Sequence, residues 1–499
     1  MSFLGLDIGS SGCKATVFDG DGKQLAFAFR EYPTLHPRAG WVELESDSVV
    51  AACLSVIREA ASHTPGDQVV ALAISSQGEA FTPVARDGRI LRNAMISSDA
   101  RAHALMEEWS CGFGAERLYR ITGHTPHALF SLFKLVWLRE HEHETWQSAR
   151  WFLCFEDLIH QRLGLEPAIG WPLAGRTMLF DVTRHEWSAE ILEELRLDPE
   201  RLARPLASGQ IVDRLSSAIA NELGLAPGAA VVAGGHDQVC AGLGAGAVEP
   251  GSAMYATGTV ECITPVFECP IFSDALFRGN LCTYDHAAPG LYATVAFSLT
   301  GGNLLRWFRD EWSPEEVLAA GKKGANAYEL ILDQLPDHPN SLIVLPYFTP
   351  SGTPHFEPRS MGAILGLSLT STRHEVLRAL LEGVAMEMRL NLDLLEKSGL
   401  PVRHLIAVGG GASSRKWNQL KADVIGKPIY QSRTAQAGCL GAAILAAAAV
   451  TGSPAHALVH QWVHPGEAIE PRPAHRQHYE AAYERYRGLY SLIREATCH

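Results

Sequence analysis

Apolar residues at the start of the chain fall in short runs that are separated by glycine- and serine-rich turns. Phe3–Ile8 is an apolar run, a Gly-Ser-Ser-Gly turn follows, and Cys13–Phe18 and Gln24–Tyr32 alternate between apolar and polar positions. Alternation with a period of two is typical of a β-strand, and the turn residues mark hairpins. The pattern therefore predicts that the chain opens with a meander of three strands.

This order of elements argues against two common nucleotide-binding motifs. A Walker-type phosphate loop and a dinucleotide-binding turn both run from a strand through a glycine-rich loop into a helix. Here the first glycine-rich loop joins two strands, and the pattern GxxxxGK[ST] does not occur in the sequence. A phosphate site at this loop would have to be of another kind.

Three later apolar runs each enter a glycine-rich junction, and one of them repeats the opening strand–turn–strand unit. The runs and junctions are Ala229–Ala233 with Gly234–Gln238, Met254–Ile263 around Thr257–Thr259, and Leu405–Val408 with Gly409–Ser414. The repeat indicates a duplicated architecture. We predict an α/β protein of two lobes, residues 1–245 and 246–499, that meet near the glycine-rich segment Gly242–Pro250. The second lobe ends in a helical tail.

Length and composition support this organisation and narrow the class of ligand. A chain of 499 residues is too long for one hydrophobic core, and 47% hydrophobic with 19% charged residues is an ordinary globular composition. The formal net charge is -13, without a basic stripe. We therefore expect neither nucleic acid nor a membrane as a partner, and a small neutral metabolite fits better.

The cysteines and the apolar segments predict a cytoplasmic protein. The ten cysteines form no CxxC pair, and the first residues lack the basic and apolar pattern of a signal peptide. The longest apolar run, around Gly438–Val450, is too short to span a bilayer. We expect a reducing compartment and no disulfides.

The segment Asp7–Lys14 is the first candidate for chemistry. Its glycine amides and serine hydroxyls can approach phosphate oxygens, and Lys14 adds a positive charge. A carboxylate at the end of the preceding strand, Asp7, can hold hydrated Mg²⁺ beside those phosphates. Taken alone, the segment is also compatible with a plain hairpin that carries a structural aspartate.

Two further junctions add different functions. Asp237 stands between a strand and a helix, where it can accept the proton of a hydroxyl that attacks a γ-phosphoryl group; the alternative is that it caps the helix. The glycines of Gly409–Ala412 allow a flat adenine and its ribose to lie against the backbone. Together the three junctions supply the metal and phosphate side, the base and the nucleoside side of one ATP site.

These motifs resemble those of the FGGY family of carbohydrate kinases over nearly the whole chain. Lys134–Glu140 is similar to the first family signature, although Leu129 stands where a small or aromatic residue is expected. Gly362–Leu367, continued by Glu375–Glu382, fits the second signature throughout. The resemblance implies two actin-like (ribonuclease H-like) lobes with a catalytic cleft between them, and the use of ATP and Mg²⁺ to phosphorylate a sugar or polyol.

The resemblance also implies a role for each motif residue. Asp237 would be the general base, and Asp7 would position Mg²⁺. The residues implied to bind ATP are Gly9, Ser10, Ser11, Lys14, Gly258, Thr259, Gly302, Gly410 and Gly411. Those implied to bind the sugar are Gln77, Glu79, Asp99 and Gln238, and for Glu79 the alternative is a solvated charge at the end of a strand.

The acceptor stays open at this stage. Glu79 and Gln238 resemble the glycerol-kinase branch, whereas the loop Pro350–Pro354 lacks the Glu-Arg pair of many relatives and resembles fuculokinase-like branches. We expect a ketopentose such as xylulose, with L-fuculose, other deoxysugars, tetritols and glycerol-type polyols as alternatives. A non-kinase actin-like ATPase or a sugar sensor is a remote alternative. A homodimer is the default oligomer for such an enzyme.

Overall fold

The computed structural model describes residues 1–64, 66–357 and 359–497. The described part of the first half of the chain contains the following strands and helices, apart from short 3₁₀ segments. The strands are β1 (Ser2–Ile8), β2 (Gly12–Phe18), β3 (Gln24–Glu31), β4 (Glu43–Leu44), β5 (Val69–Ser76), β6 (Thr82–Ala85), β7 (Ala94–Met95), β8 (Ala149–Leu153), β9 (Ala168–Gly170), β10 (Phe180–Asp181), β11 (Glu186–Trp187), β12 (Arg204–Leu206), β13 (Ile211–Arg214) and β14 (Ala230–His236). The helices are α1 (Ser46–Ser62), α2 (His103–Phe113), α3 (Ala115–Thr122), α4 (Ser131–His141), α5 (His143–Ser148), α6 (Phe155–Arg162), α7 (Trp171–Gly175), α8 (Ala189–Leu195), α9 (Ser217–Leu223) and α10 (Asp237–Ala245).

The second half continues with the same mixture of elements. Its strands are β15 (Ser252–Thr257), β16 (Glu261–Phe267), β17 (Tyr284–Asp285), β18 (Tyr292–Ala293), β19 (Ala296–Ser298), β20 (Ile343–Leu345), β21 (Ala363–Leu365), β22 (His404–Val408), β23 (Ile429–Gln431) and β24 (Ala468–Ile469). Its helices are α11 (Asp274–Arg278), α12 (Gly302–Trp312), α13 (Pro314–Lys323), α14 (Ala327–Asp333), α15 (Arg373–Lys397), α16 (Arg415–Ile425), α17 (Ala437–Thr451), α18 (Ala455–Trp462) and α19 (Pro473–Thr497).

The first large sheet has the strand order β13-β14-β5-β1-β2-β3. Strands β1, β2 and β3 pair antiparallel in sequence, as the opening pattern predicts, and β1 then pairs parallel with β5, which pairs parallel with β14. The carboxyl ends of β1, β5 and β14 therefore meet at one edge of the sheet. This edge is where ligands bind in open α/β sheets, and the segments after these three strands contain most of the predicted site.

The second large sheet repeats this unit. Strand β15 pairs antiparallel with β16 and parallel with β22, and the sheet order is β17-β18-β16-β15-β22-β23-β24 with β19 on β16. The duplication inferred from the two strand–turn–strand segments is thus present in the sheets themselves. The turn after β15 and the loop after β22 lie at the carboxyl ends of parallel neighbours, as their counterparts do in the first sheet.

Helix α17 lies far along the chain but packs against the first sheet. It contacts β1, β5 and β14, and its buried residues belong to the same apolar cluster as those strands. The approach is very close, because a Cβ on Gly5 of β1 would lie 1.8 Å from the carbonyl oxygen of Cys439. The lobe boundary at 245/246 stays a prediction, and residues after 437 contribute to the core of the first sheet.

No helix in the described ranges combines the length and the apolar character that crossing a bilayer would require. The nine cysteines whose surroundings the structure describes are all free thiols.

Candidate active site

Asp7 occupies the end of β1, and the strand register brings its two polar neighbours to it. Lys14 of β2 and Ser75 of β5 are the residues paired with Asp7 on either side. The Ser75 hydroxyl donates to Oδ1 at 2.8 Å, and the Lys14 ammonium lies 3.1 Å from Oδ2. The first turn of α17 closes over the carboxylate, since a Cβ on Gly438 would lie 2.9 Å from it. Asp7 is therefore a fixed carboxylate beside a lysine.

The turn between β1 and β2 is held by hydrogen bonds to one carbonyl group. The Gly9 oxygen accepts from the Tyr32 hydroxyl at 2.6 Å and from the Gln77 side-chain amide at 3.0 Å. The side chains of Ser10 and Ser11 remain exposed at the tip of the turn. Gln77, predicted to bind the sugar, thus supports the phosphate turn in this structure, while its side-chain oxygen is buried without a hydrogen-bond partner among the described residues.

Asp237 follows β14 directly and is the first residue of α10. Its side chain keeps 31% of its surface exposed, so a ligand can reach the carboxylate. Burial of the site raises its pKa to about 7, and the negative charges of Asp7 and Glu79 act in the same direction. A carboxylate that titrates near neutral pH is suited to accept a proton during catalysis.

His236 and Tyr284 support Asp237, and the sequence pattern did not reveal either of them. His236 Nε2 lies 3.2 Å from Asp237 Oδ1, and Nδ1 lies 3.0 Å from the Tyr284 hydroxyl. Burial lowers the pKa of His236 well below its usual value, and the nearby Arg176 charge adds to the effect, so the imidazole is neutral. A neutral ring has one N–H, and a hydroxyl that donates to Nδ1 leaves Nε2–H to donate to Asp237.

Glu79 is buried and paired, so the alternative of a solvated charge is wrong. Only 5% of the residue is exposed, and Oε1 accepts from Arg176 Nε at 2.6 Å. Its main-chain oxygen accepts from Lys134 Nζ at 3.1 Å and from the Ser131 hydroxyl at 2.9 Å. These contacts hold Glu79 in the left-handed region, with φ of 64°. Arg176 was also not apparent from the sequence. Its positive charge acts on both Glu79 and Asp237.

The other two predicted sugar ligands differ in what they can offer. Both carboxylate oxygens of Asp99 are occupied: Oδ2 accepts from the Val42 amide at 2.7 Å and from Arg101, and Oδ1 accepts from the Arg101 amide and Nε. A sugar contact would have to displace one of these donors, and the role of Asp99 stays a prediction. Gln238, next to the base, keeps a buried side-chain oxygen without a partner in the described chain. Because buried polar atoms normally have a partner, this unpaired oxygen keeps Gln238 as a candidate sugar ligand.

A cavity of about 640 Å³ opens on the second sheet. Five of the nine residues predicted to bind ATP line it: Gly258, Thr259, Gly302, Gly410 and Gly411. The other four, Gly9, Ser10, Ser11 and Lys14, are at the end of the first sheet, as the two-lobed arrangement requires. Lining residues that the sequence pattern did not indicate are Asn303, Arg306, Asn326, Tyr328 and Trp417.

The glycines of this cavity are required by close approach of the backbone. A Cβ on Gly302 would lie 2.3 Å from the Gly258 carbonyl oxygen, and a Cβ on Gly411 would lie 2.3 Å from the Thr257 side chain. By contrast, a Cβ on Gly410 would meet no described atom within 4 Å. Gly302 and Gly411 therefore shape the wall of the cavity, whereas the space next to Gly410 is open.

Behind the second turn lies a buried lysine of helix α16, Lys421. Lys421 Nζ donates to the Thr257 hydroxyl at 2.6 Å and lies 2.8 Å from Glu261 Oε1. Burial lowers the pKa of Lys421, and the charge of Glu261 opposes that effect. Lys421 is nearly inaccessible to solvent, so it holds the turn in place from behind.

The carboxylates at the first sheet fit a divalent cation that arrives with phosphates. The described residues contain no group of three or more His, Cys, Asp and Glu side chains arranged as a metal site. Mg²⁺ is commonly held by one or two carboxylates together with substrate phosphates and water, so such a group is not needed. The repulsion from Asp7 that contributes to the raised pKa of Asp237 shows that negative charge is in excess here. Added positive charge would relieve it.

Family models and relatives match this chain along most of its length. The model of the FGGY family of carbohydrate kinases, N-terminal domain, matches residues 2–244, and that of the C-terminal domain matches residues 253–450. Xylulose kinase of Bacillus subtilis (strain 168) is 26% identical over 498 residues, which cover 99% of this chain and 97% of the relative. Glycerol kinase of Methylibium petroleiphilum is 29% identical over 459 residues, 89% of each chain.

A solved structure extends the likeness to three dimensions. The xylulose kinase from Rhodospirillum rubrum is 24% identical and covers 100% of both chains with a TM-score of 0.88. The predicted α/β fold of two actin-like lobes is confirmed. The family resemblance drawn from the sequence motifs is confirmed as well.

Proposed function

Because this chain belongs to the FGGY family of carbohydrate kinases, we propose that it transfers the γ-phosphoryl group of ATP to a hydroxyl of a ketopentose such as xylulose. The observation that carries the proposal is Asp237, a reachable carboxylate at the end of a parallel strand whose pKa is raised to about 7. The ketopentose is supported by the full-length likeness to xylulose kinases, of which that of Bacillus subtilis is one.

In the proposed reaction, Asp237 takes the proton of the sugar hydroxyl as its oxygen attacks the γ-phosphorus. The N–H of His236 holds the carboxylate in one orientation, and the free side-chain oxygen of Gln238 accepts from a second sugar hydroxyl. Phosphoryl transfer has a loose transition state, so most of the acceleration comes from alignment and from neutralised charge. Exclusion of water from the cleft protects ATP from hydrolysis.

ATP would span the two sheets. Gly302, Gly410 and Gly411 would face the nucleoside in the cavity, and Gly258 and Thr259 would bind phosphates at the second turn. The remaining predicted phosphate ligands are Gly9, Ser10, Ser11 and Lys14. Mg²⁺, held by Asp7 and the phosphates, would neutralise the charge that develops on the phosphate oxygens.

A polyol is the second candidate acceptor. Glu79 and Gln238 lie near the base, and they are the residues in which the sequence resembles the glycerol-kinase branch. The full-length relatives also include a glycerol kinase. L-fuculose, other deoxysugars and tetritols are further alternatives, among which the form of the loop Pro350–Pro354 favours L-fuculose. The proposal includes a cytoplasmic location, without nucleic acid or membrane as a partner.

The test is a measurement of ADP release with ATP and Mg²⁺ against a panel of acceptors. The panel should contain D-xylulose, L-xylulose, L-fuculose, erythritol, glycerol and gluconate, with a no-acceptor control. We expect the highest kcat/KM with a ketopentose. A higher kcat/KM with glycerol or erythritol would select the polyol alternative, and ADP release that no acceptor stimulates would contradict the proposed activity.

A further inference from the structure

Strand β14 contains a bulge just before the proposed base. Its register with β5 pairs Val232 with Ala73. The next pair is Gly235 with Ser75, so two residues of β14 lie opposite a single residue of β5. An extra residue reverses the face of the sheet that the following side chains take, and bulges next to active sites commonly aim a side chain in this way. The direction of Asp237, which follows β14 directly, therefore depends on the bulge.

Side chains bond to both backbone groups of Gly234, which lies in this bulge. The Gly234 amide donates to Glu156 Oε1 at 2.7 Å, and its carbonyl accepts from the Ser208 hydroxyl at 2.6 Å. A bulge interrupts the hydrogen bonds of the sheet, so its buried backbone groups need partners elsewhere. A Cβ on Gly234 would lie 1.8 Å from the Ile74 carbonyl oxygen, which requires glycine at this place. Glu156 and Ser208 therefore hold the bulge from its two sides.

Glu156 also joins the bulge to a second element of the acceptor side. Its other oxygen, Oε2, accepts from the amide of Gly170, the last residue of β9, at 3.0 Å. Helix α7 begins at the next residue, and Arg176, the partner of Glu79, follows that helix. The two backbone segments are in direct contact, since a Cβ on Gly170 would lie 2.4 Å from the Gly234 carbonyl oxygen. One carboxylate thus fixes β14 relative to the helix that leads to Arg176.

The chemistry of Glu156 suits this double contact. The residue is inaccessible to solvent, so it can act on the reaction only through the groups packed around it. Burial raises the pKa of its carboxyl to about 7, and the amides of Gly170 and Gly234 oppose the shift because they favour the ionised form. An ionised carboxylate accepts at both oxygens. A glutamine offers one acceptor and turns an NH₂ group towards the second amide.

We propose that Glu156 is a positioning residue for the phosphoryl transfer: its two hydrogen bonds fix the β14 bulge and the turn into α7, and thereby aim Asp237 at the acceptor hydroxyl. Ser208 supports the same bulge at its carbonyl. This role in turnover rests on the proposed function, in which Asp237 is the base. The dependence of the bulge on Glu156 is a property of the fold, and amide exchange can measure it without turnover.

Steady-state kinetics at about pH 8.5, where both carboxylates are ionised, test the role in turnover. Glu156→Gln should lower kcat about thirtyfold, because the base is no longer aligned. KM for ATP should change less than about twofold, since the nucleotide cavity lies on the second sheet. Ser208→Ala should lower kcat about fivefold. The double variant should lose less than the product of the two single losses, because both side chains hold one bulge.

Glu387→Gln is the matched control. Glu387 is equally buried, but it lies on α15 and accepts from the Tyr347 and Tyr486 hydroxyls. This variant should lower the melting temperature and leave kcat close to that of the wild type. An unaltered kcat in Glu156→Gln, an equal fall in Glu387→Gln, or single losses that multiply would overturn the proposal. If Glu156→Gln does not fold, Ser208→Ala decides: a fall in kcat with unchanged KM for ATP supports the proposal, and an unaltered kcat overturns it.

Amide hydrogen exchange, followed by mass spectrometry, tests the bulge itself. Exchange in peptides that cover Ala230–His236 should be at least about tenfold faster in Glu156→Gln than in the wild type, and unchanged in Glu387→Gln. Unaltered exchange of β14 in Glu156→Gln would overturn the proposal even if kcat falls. A wild type whose ADP release no acceptor stimulates would instead contradict the proposed function, and the exchange rates would still decide whether Glu156 holds the bulge.

Discussion

The acceptor side of the active site and the nucleotide cavity depend on different kinds of residue. The acceptor side consists of buried ionisable side chains, in which Asp237, Glu79 and Arg176 influence one another. The nucleotide cavity is shaped by glycines whose backbone approaches neighbouring atoms, as at Gly302 and Gly411. Function depends on charge in the first region and on the absence of a side chain in the second.

This difference predicts that substitutions in the two regions will impair different steps of the reaction. Removing a charge at the acceptor side should change turnover, sugar binding or pH dependence and leave ATP binding intact. Adding a methyl group to the nucleotide cavity should change ATP binding and leave the pH dependence intact. Variants that mix the two effects would show that the regions are coupled more tightly than their contacts indicate.

The largest effect is expected from Asp237→Asn. An amide cannot accept the proton of the attacking hydroxyl, so kcat should fall at least about a hundredfold. ADP release at saturating sugar and ATP measures the loss. The melting temperature and the affinity for ATP, measured by calorimetry, serve as controls and should stay close to those of the wild type. Near-full turnover of this variant would rule out Asp237 as the base.

The next effect should come from Gly302→Ala. Its Cβ would lie 2.3 Å from the Gly258 carbonyl oxygen, so the second turn must shift and KM for ATP should rise about tenfold or more. Gly410→Ala is the matched variant, since its Cβ meets no described atom within 4 Å. It should leave the melting temperature unchanged, so a rise in its KM for ATP would report contact with the nucleotide. An unaltered KM for ATP in Gly302→Ala would contradict the assignment of this cavity.

Glu79→Gln should affect the sugar and spare the nucleotide. The amide keeps the shape of the side chain but leaves the buried guanidinium of Arg176 without its carboxylate, so the pocket loses its order. We expect KM for the sugar to rise about tenfold while KM for ATP stays the same. Glu166→Gln, at an exposed position, is the control. If KM for ATP rises instead, Glu79 belongs to the other side of the site.

The smallest effect is a shift in pH dependence. Protonated Asp237 cannot act as a base, and burial and the charges of Asp7 and Glu79 raise its pKa to about 7, so kcat/KM for the sugar should fall as the pH drops below that value. Glu79→Gln removes one of the charges that raise this pKa. The acidic limb should therefore move to lower pH in the variant. Initial rates between pH 5 and 9 measure it, and a limb that stays in place or moves upwards would contradict the charge coupling.

Local features of the sequence were enough to predict the backbone of the site. The alternating opening segment forms β1–β3, and Gly258, Thr259, Gly302, Gly410 and Gly411 all line one cavity. Glycine and strand periodicity are readable locally, because a close approach or a hairpin imposes its residue type at one place in the chain.

The partners of the charged side chains could not be predicted in the same way. Arg176 is 97 residues from Glu79, and Lys421 is 164 residues from Thr257. No local pattern identifies which distant charge will meet a buried carboxylate, because tertiary packing decides it. The same is true of α17: a helix that is apolar on nearly every side has no polar face to indicate which sheet it will cover.

The position of α17 has a consequence for how the chain folds during its synthesis on the ribosome. The strands of the first sheet emerge early, but the helix that covers β1, β5 and β14 is translated only after most of the second half. Until then a nascent chain exposes the apolar face of the sheet on which α17 will lie, a state prone to aggregation. The first sheet of this kinase is thus covered only late in synthesis, and a ribosome that stalls before residue 437 leaves the sheet without α17.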